Sequence, residues 1–148
     1  NFQAAYAVRY YALTLRVGVD CVTTMFITDT DGHAGGFFDR LRGMKWRPSA
    51  KAVQTMATVM PHPKLVAAQA DGADQTFIYE FKSHVHQPDS PVVIMAYRIE
   101  GPRTVDIEVP YARARVTDML GGTKVVDAED GKVSVEIGPF PIYVQQSK

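Results

Sequence analysis

The spacing of apolar side chains changes near residue 62, and this change limits the possible folds more than any other feature of the chain. Before that point apolar residues recur every three or four positions in two segments, residues 2–17 and 48–60, as in helices. After it they mostly alternate with polar residues, as in strands. Because a helical pattern does not settle as a strand, we expect two parts. Residues 1–62 combine helix and strand, and residues 63–148 form an antiparallel β-sandwich.

Two apolar stripes run along residues 2–17, which predicts a helix that is apolar on two sides. The first stripe has spacings of four, four, three and four, at Phe2, Tyr6, Tyr10, Leu13 and Val17. The second stripe comprises Ala5, Val8, Ala12 and Leu15. Gly18 then stands where helices commonly end in a left-handed conformation.

The segment after this helix predicts a buried strand. Residues 22–27 are almost continuously apolar and rich in β-formers, which is typical of a strand covered on both faces in a parallel sheet. A helix followed at once by such a strand is the second half of a βαβ unit. Residues 28–47 show no clear periodicity, and Pro48 opens a second helix that Pro61 ends.

Strand patterns dominate the remainder of the chain. Alternating or continuous apolar runs predict strands at residues 75–82, 92–97, 103–109 and 132–137. Turn signals lie around and between them, at Asp71-Gly72, Gly101-Pro102, Gly121-Gly122, Asp130-Gly131 and Gly138-Pro139. Short strands at this spacing indicate an antiparallel sandwich.

Composition excludes several classes of protein. Of the 148 residues, 46% are apolar and 22% charged, as in a chain that buries a core. The formal net charge is zero, so we expect no nucleic-acid partner, and no run reaches the roughly 18 apolar residues of a membrane span. Cys21 is the single cysteine, which rules out an internal disulfide and a cysteine-rich zinc site. No motif indicates a cofactor, and none is expected.

Short motifs suggest metal sites that their surroundings do not support. His84 and His86 are two apart, as ligands on one strand face can be, but the following residues are typical of a loop. The run from Asp29 to Gly32 resembles the start of a calcium loop. An EF-hand needs glycine at the sixth position and glutamate at the twelfth, where this chain has Ala34 and Arg40. We therefore expect no metal ion.

The loop after the buried strand is the best candidate for ligand contact. Parallel strands place ligands at their carboxyl ends, where this chain carries Asp29, Asp31 and His33. For any one of them a simple structural turn is the more common role, with ligand contact as the alternative. Trp46 has no periodic partner, so it either stacks on a sugar or packs between the two parts.

The order of these features resembles the C-terminal part of a TIM-barrel glycoside hydrolase. The resemblance rests on the helix at residues 6–15 with its following strand, and on the helix-opening run from Pro48 to Val53. It also rests on the turn from Asp118 to Gly122 and the ending from Pro141 to Val144. The resemblance implies a fold that is the end of a (β/α)8 barrel followed by an antiparallel β-sandwich.

The resemblance also implies a function for the parent protein. Members hydrolyse poly- or oligosaccharides by a retaining mechanism with two glutamates about 5–5.5 Å apart. These residues belong to the fourth and seventh barrel strands, so both are expected upstream of Asn1, and no residue of this chain is expected to be catalytic. Phe26, Asp29, Asp31 and His33 are the expected substrate contacts.

Two further expectations complete the sequence analysis. Asn1 stands where an initiator methionine would be, which indicates a processed chain or a piece of a longer one. The partners are then the saccharide and the remainder of the barrel, and the expected location is extracellular or periplasmic. The alternative is a non-catalytic β-sandwich module that binds a carbohydrate or a protein.

Overall fold

A computed structural model of the chain describes residues 2–19, 36–39, 42–83 and 89–147. The regular helices and strands of these ranges are, in chain order, α1 (Phe2–Arg16), β1 (Phe38–Asp39), β2 (Lys45–Trp46), α2 (Pro48–Val59), β3 (Lys64–Asp71), β4 (Thr76–Lys82), β5 (Val92–Arg98), β6 (Arg103–Glu108), β7 (Arg113–Asp118), β8 (Thr123–Asp127), β9 (Lys132–Ile137) and β10 (Ile142–Gln146). Both predicted helices are confirmed, as are the four predicted strands, which correspond to β4, β5, β6 and β9. The strand predicted at residues 22–27 lies outside the described residues.

Three layers make up the described fold. The central layer is a six-stranded sheet in the order β3-β4-β5-β10-β7-β8, in which every neighbouring pair is antiparallel. Helices α1 and α2 cover one face, and the antiparallel pair β6–β9 covers the other. The predicted antiparallel sheets are therefore confirmed, and the barrel portion remains a prediction.

The nearly continuous apolar run at residues 92–97 lies in strand β5, which is buried on both faces. Val93, Met95 and Tyr97 point toward the helices, and Ile94 and Ala96 point toward the β6–β9 pair. All five side chains are buried. A strand at the centre of a layered fold has no solvated face, so the alternation of apolar and polar residues disappears.

Helix α1 ends as its sequence predicts. Gly18 has a φ of +81°, in the left-handed region that glycine enters without a steric penalty. The Gly18 N–H donates to the Leu15 carbonyl at 3.2 Å, and the Val19 N–H donates to the Thr14 carbonyl at 3.0 Å. This pair of bonds is a Schellman motif, which satisfies the last carbonyls of the helix.

The turn between β7 and β8 is organised by one carboxylate. Asp118 Oδ1 accepts hydrogen bonds from the backbone N–H groups of Leu120 at 2.8 Å and Gly122 at 2.9 Å. Gly121 has a φ of +96°, which a residue with a side chain rarely adopts. The predicted Gly121-Gly122 turn is thereby confirmed and explained.

The predicted boundary between residues 1–62 and 63–148 falls in the short connection after α2. Helix α2 ends at Val59 and β3 begins at Lys64. Buried residues of both helices nevertheless belong to the same apolar core as residues of β4, β5 and β10. The two-domain division therefore stays a prediction, and the two parts share a core.

A polar contact joins the end of α1 to the edge of the sheet. Arg16 forms an ion pair and hydrogen bond with Asp71 Oδ2, and the Tyr79 hydroxyl donates to Asp71 Oδ1 at 2.8 Å. These two donors lower the pKa of Asp71 below its ordinary value of 3.8, with the hydrogen bond from Arg16 as the largest cause. The ionised form of Asp71 is thus favoured in the folded state.

Replacing Asp71→Asn should therefore destabilise the chain in a pH-dependent way. A carboxyl whose pKa falls on folding contributes stability above its unfolded pKa, and this contribution is lost as the pH drops through the folded value. We expect the variant to have a lower free energy of unfolding at neutral pH, and the difference from wild type to shrink below about pH 4. Urea unfolding at about pH 7, 5 and 3 measures this difference.

Asp127→Asn is the matched control for this experiment. Asp127 pairs with Arg113 Nε at 3.1 Å, and both side chains are largely exposed. Exposed ion pairs contribute little to stability, so this variant should resemble wild type across the same pH range. A constant difference between Asp71→Asn and wild type at every pH would contradict the role assigned to the Asp71 charge.

Candidate functional site

The residues that the sequence predicts to contact substrate are Phe26, Asp29, Asp31 and His33. All four fall in the range 20–35, which lies outside the described residues. His84 and His86 also lie outside them. Their roles therefore stay predictions. The described surface has other features from which a functional assignment can be built.

Two of the glutamates, Glu80 and Glu108, form hydrogen bonds that connect neighbouring strands. Gln69 Nε2 donates to Glu80 Oε1 at 2.8 Å and to the Glu108 carbonyl at 3.0 Å, and the Glu108 N–H returns a bond to Gln69 Oε1 at 3.0 Å. The side-chain amide of Gln69, a residue of β3, thus bonds to the backbone of β6 and to the Glu80 carboxylate of β4. Glu80 is half-buried, and the other four glutamates are exposed, as expected for a solvated surface.

Several tyrosine hydroxyls are buried, and burial determines their chemistry. Loss of solvent raises the pKa of Tyr97 and of Tyr111 to about 12 in each case. Burial likewise raises the pKa of Tyr143, and that of Tyr79, which also donates to Asp71. Phenols in these surroundings stay neutral at physiological pH, so they act as core side chains and do not serve as bases.

One side of α1 is apolar and exposed. The predicted second stripe lies against the rest of the fold, with Ala5, Val8 and Ala12 fully buried. The predicted first stripe points to solvent, and we call it the outer stripe: Phe2 (68% exposed), Tyr6 (67%), Tyr10, Leu13 and Val17 (67%). Soluble proteins rarely leave so long an apolar surface uncovered, and such surfaces mark contacts with other protein.

A cavity of about 220 Å³ lies beside the outer stripe, between α1 and the ends of β4 and β5. Its lining is almost wholly apolar and comprises Tyr6, Arg9, Tyr10, Leu13, Phe77, Tyr97 and Ile99. Phe77 stacks on Tyr97 with ring centroids 4.9 Å apart, and Arg9 lies 5.9 Å from the Tyr97 ring centroid. Sequence periodicity predicted both stripes but not which one faces solvent.

Trp46 forms a second exposed aromatic surface, next to the N-terminus of α2. It lies in β2, opposite Phe38 of β1, and the residue is 57% exposed. An open cavity of about 500 Å³ adjoins it, lined by Trp46, Arg47, Pro48, Lys51, Gln54 and Leu120. The described surface therefore has two aromatic features, one long and apolar and one small with polar neighbours.

The described ranges hold neither a metal-binding cluster nor a helix able to span a membrane. No cluster of three or more His, Cys, Asp or Glu side chains within residues 2–19, 36–39, 42–83 and 89–147 has the arrangement of a metal site. Neither α1 nor α2 has the length and apolar character that crossing a bilayer requires.

The fold described above is similar to part of three glycoside hydrolase structures. A family 39 glycoside hydrolase from the gut symbiont Bacteroides cellulosilyticus WH2 superposes with a TM-score of 0.74 at 18% identity, over 97% of this chain and 30% of that one. A family 30 subfamily 8 xylanase from Clostridium acetobutylicum gives 0.64 at 12% identity, over 97% and 39%. A family 30 endoxylanase from Clostridium papyrosolvens C71 gives 0.55 at 13% identity, over 76% and 31%.

The chain spans between 30% and 39% of the length of these three proteins. No protein-family model and no curated protein sequence matches it. At these identities the likeness is one of fold, and at that level the predicted resemblance to glycoside hydrolases is confirmed.

If the outer stripe is an uncovered contact surface, polar substitutions there should reduce association without unfolding the chain. We expect the double variant Tyr6→Ser, Leu13→Ser to keep its melting temperature and to self-associate less than wild type. The buried control Val8→Ser should instead lose about 2 kcal/mol or more of unfolding free energy, because it removes packed methyl groups and buries a hydroxyl. Sedimentation velocity and thermal melting of the chain measure the two effects. A wild type that is monomeric at all concentrations would contradict the prediction, as would an outer variant that melts like the buried control.

Proposed function

We propose that this chain is the C-terminal portion of a larger retaining glycoside hydrolase with a (β/α)8 barrel. In this proposal residues 1–62 complete the barrel, and the antiparallel sheets form its accessory domain. One observation carries the proposal: the family 39 structure matches 97% of this chain with only 30% of its own length. The rest of such a protein would supply the remaining βα units.

The outer stripe of α1 gives this proposal a physical basis. A helix on the outside of a (β/α)8 barrel packs against the strands and against its neighbours on both sides. In the described structure α2 is such a neighbour. The side carrying Tyr6 and Tyr10 faces solvent and the cavity at the ends of β4 and β5, with no second described helix beside it. The upstream part of the barrel is the proposed cover for that side.

The proposed reaction is hydrolysis of a glycosidic bond in a poly- or oligosaccharide, outside the cytoplasm. Retaining enzymes use one glutamate as nucleophile and one as acid and base, with carboxyl groups about 5–5.5 Å apart. Both glutamates are proposed to lie upstream of this chain. Phe26 is proposed to stack on a sugar ring at the carboxyl end of the last barrel strand, with Asp29, Asp31 and His33 bonding hydroxyl groups.

The experiment compares the 148-residue chain with the chain extended upstream to include the proposed barrel. We expect the extended chain to hydrolyse an aryl glycoside or a soluble polysaccharide and the 148-residue chain to hydrolyse neither. Proton NMR of the first product should show the anomeric configuration of the substrate, as retention requires. Two upstream Glu→Gln variants should each abolish turnover, whereas Glu80→Gln and Glu108→Gln within this chain should retain it.

Three results would contradict the proposal. Hydrolysis by the 148-residue chain that Glu80→Gln or Glu108→Gln abolishes would place the catalytic acid within it. An inverted product would exclude the retaining mechanism. An upstream sequence without βα units, together with saccharide binding but no hydrolysis, would favour the non-catalytic binding module.

A further inference from the structure

Trp46 is an exposed aromatic residue whose indole packs against few neighbouring side chains. It is the single tryptophan of the chain. More than half of its surface is in contact with solvent, although indole is the largest apolar group a protein has. It immediately precedes Arg47, the residue that caps α2, which begins at Pro48. A large aromatic group exposed next to a helix terminus is a candidate binding surface.

The indole of Trp46 is held by its hairpin and by one neighbouring ring. The Phe38 and Trp46 ring centroids are 5.3 Å apart with an interplanar angle of 78°. In an edge-to-face pair, Phe38 covers at most one face of the indole. The Arg47 N–H donates to the Phe37 carbonyl at 2.9 Å and closes the hairpin directly behind Trp46.

Asp39 connects the two sides of the same hairpin. Its carbonyl accepts from the Met44 N–H at 2.8 Å, and its Oδ1 accepts from the Arg42 N–H at 3.2 Å. Its Oδ2 lies 3.8 Å from Arg47 Nη2, which ties Asp39 to the start of α2. A platform ordered in advance loses little conformational freedom when a ligand binds.

The side chains around the indole suit a sugar. In the adjoining cavity Pro48 and Leu120 are apolar, while Lys51 and Gln54 carry polar groups, with Lys51 Nζ 3.2 Å from Gln54 Oε1. A pyranose with equatorial hydroxyls has an apolar face of axial C–H groups and a polar rim. Indole complements the face, and the ammonium and amide groups complement the rim.

We infer that Trp46 is a sugar-binding subsite on which one pyranose of an extended oligosaccharide stacks, away from the bond that is cleaved. The inference rests on the proposed function, because the N-terminal ends of barrel helices border the face where substrates bind. Trp46 would then add binding energy equally to substrate and transition state. Such a residue changes KM and leaves kcat unaltered, and only substrates long enough to reach it are affected.

The experiment uses the extended chain with the upstream barrel and its Trp46→Ala, Trp46→Phe and Met44→Ala variants. The probes are xylohexaose, cellohexaose and laminarihexaose, with the corresponding 4-nitrophenyl glycosides as short substrates. Initial rates give kcat and KM, calorimetric titration gives the affinity for each hexasaccharide, and thermal melting reports stability. Met44 is an exposed residue of the same hairpin that does not line the cavity, so its variant is the matched control.

We expect Trp46→Ala to raise KM for the hydrolysed hexasaccharide about tenfold, as loss of one stacking contact does, with kcat unchanged. KM for the nitrophenyl glycoside should not change. Trp46→Phe should recover part of the affinity, because a smaller aromatic face remains. Met44→Ala should behave as wild type on every substrate.

Other outcomes separate this inference from the proposed function. Hydrolysis with unaltered hexasaccharide KM in Trp46→Ala would overturn the inference and leave the proposed function standing. A lower melting temperature with equal losses on long and short substrates would assign Trp46 to packing against the upstream chain, which also overturns it. If no variant hydrolyses any probe, the proposed function fails. Calorimetry then decides: hexasaccharide binding that Trp46→Ala weakens supports the subsite, and unaltered or absent binding overturns it.

Discussion

The packing of α1 against the six-stranded sheet is the interaction on which the described structure depends. Its buried side carries the small residues Ala4, Ala5 and Ala12 together with Val8, and the partly buried Tyr11 and Leu15 pack beside them. The sheet supplies large partners, including the fully buried Tyr79. Small groups on the helix let its axis approach the aromatic layer closely, so the two surfaces form one dense core.

This arrangement leaves several large apolar side chains of α1 on its outer side. Tyr6, Tyr10 and Leu13 contribute little to the core that the described residues form. A helix that is apolar all round is stable when it is buried all round. Two observations therefore support the proposal that an upstream segment covers α1. Its outer side is apolar and exposed, and the chain matches only about a third of longer glycoside hydrolases.

Sequence periodicity predicted the elements whose pattern is long and regular, but not those whose pattern is interrupted. In β3, register shifts break the alternation between Leu65 and Ala67 and between Ala68 and Ala70, so no strand was predicted there. Strand β7 was not predicted because its buried side chains are Ala114, Val116 and Thr117, of which only Val116 is a large apolar residue. Strands β8 and β10 were not predicted because their apolar residues do not alternate with polar ones. The hairpin that holds Trp46 has two-residue strands, which are too short to show any periodicity. The sequence also could not predict which stripe of α1 is buried, because that depends on the tertiary partners of the helix.

Side-chain footprinting of α1 tests the central claim most directly. Hydroxyl radicals label exposed tyrosines, so Tyr6 and Tyr10 of the 148-residue chain should react readily, and the buried Tyr143 should react little. In the chain extended upstream, the account predicts that labelling of Tyr6 and Tyr10 falls toward the level of Tyr143. Equal labelling of these two tyrosines in both chains would show that no upstream segment covers α1 and would contradict the account.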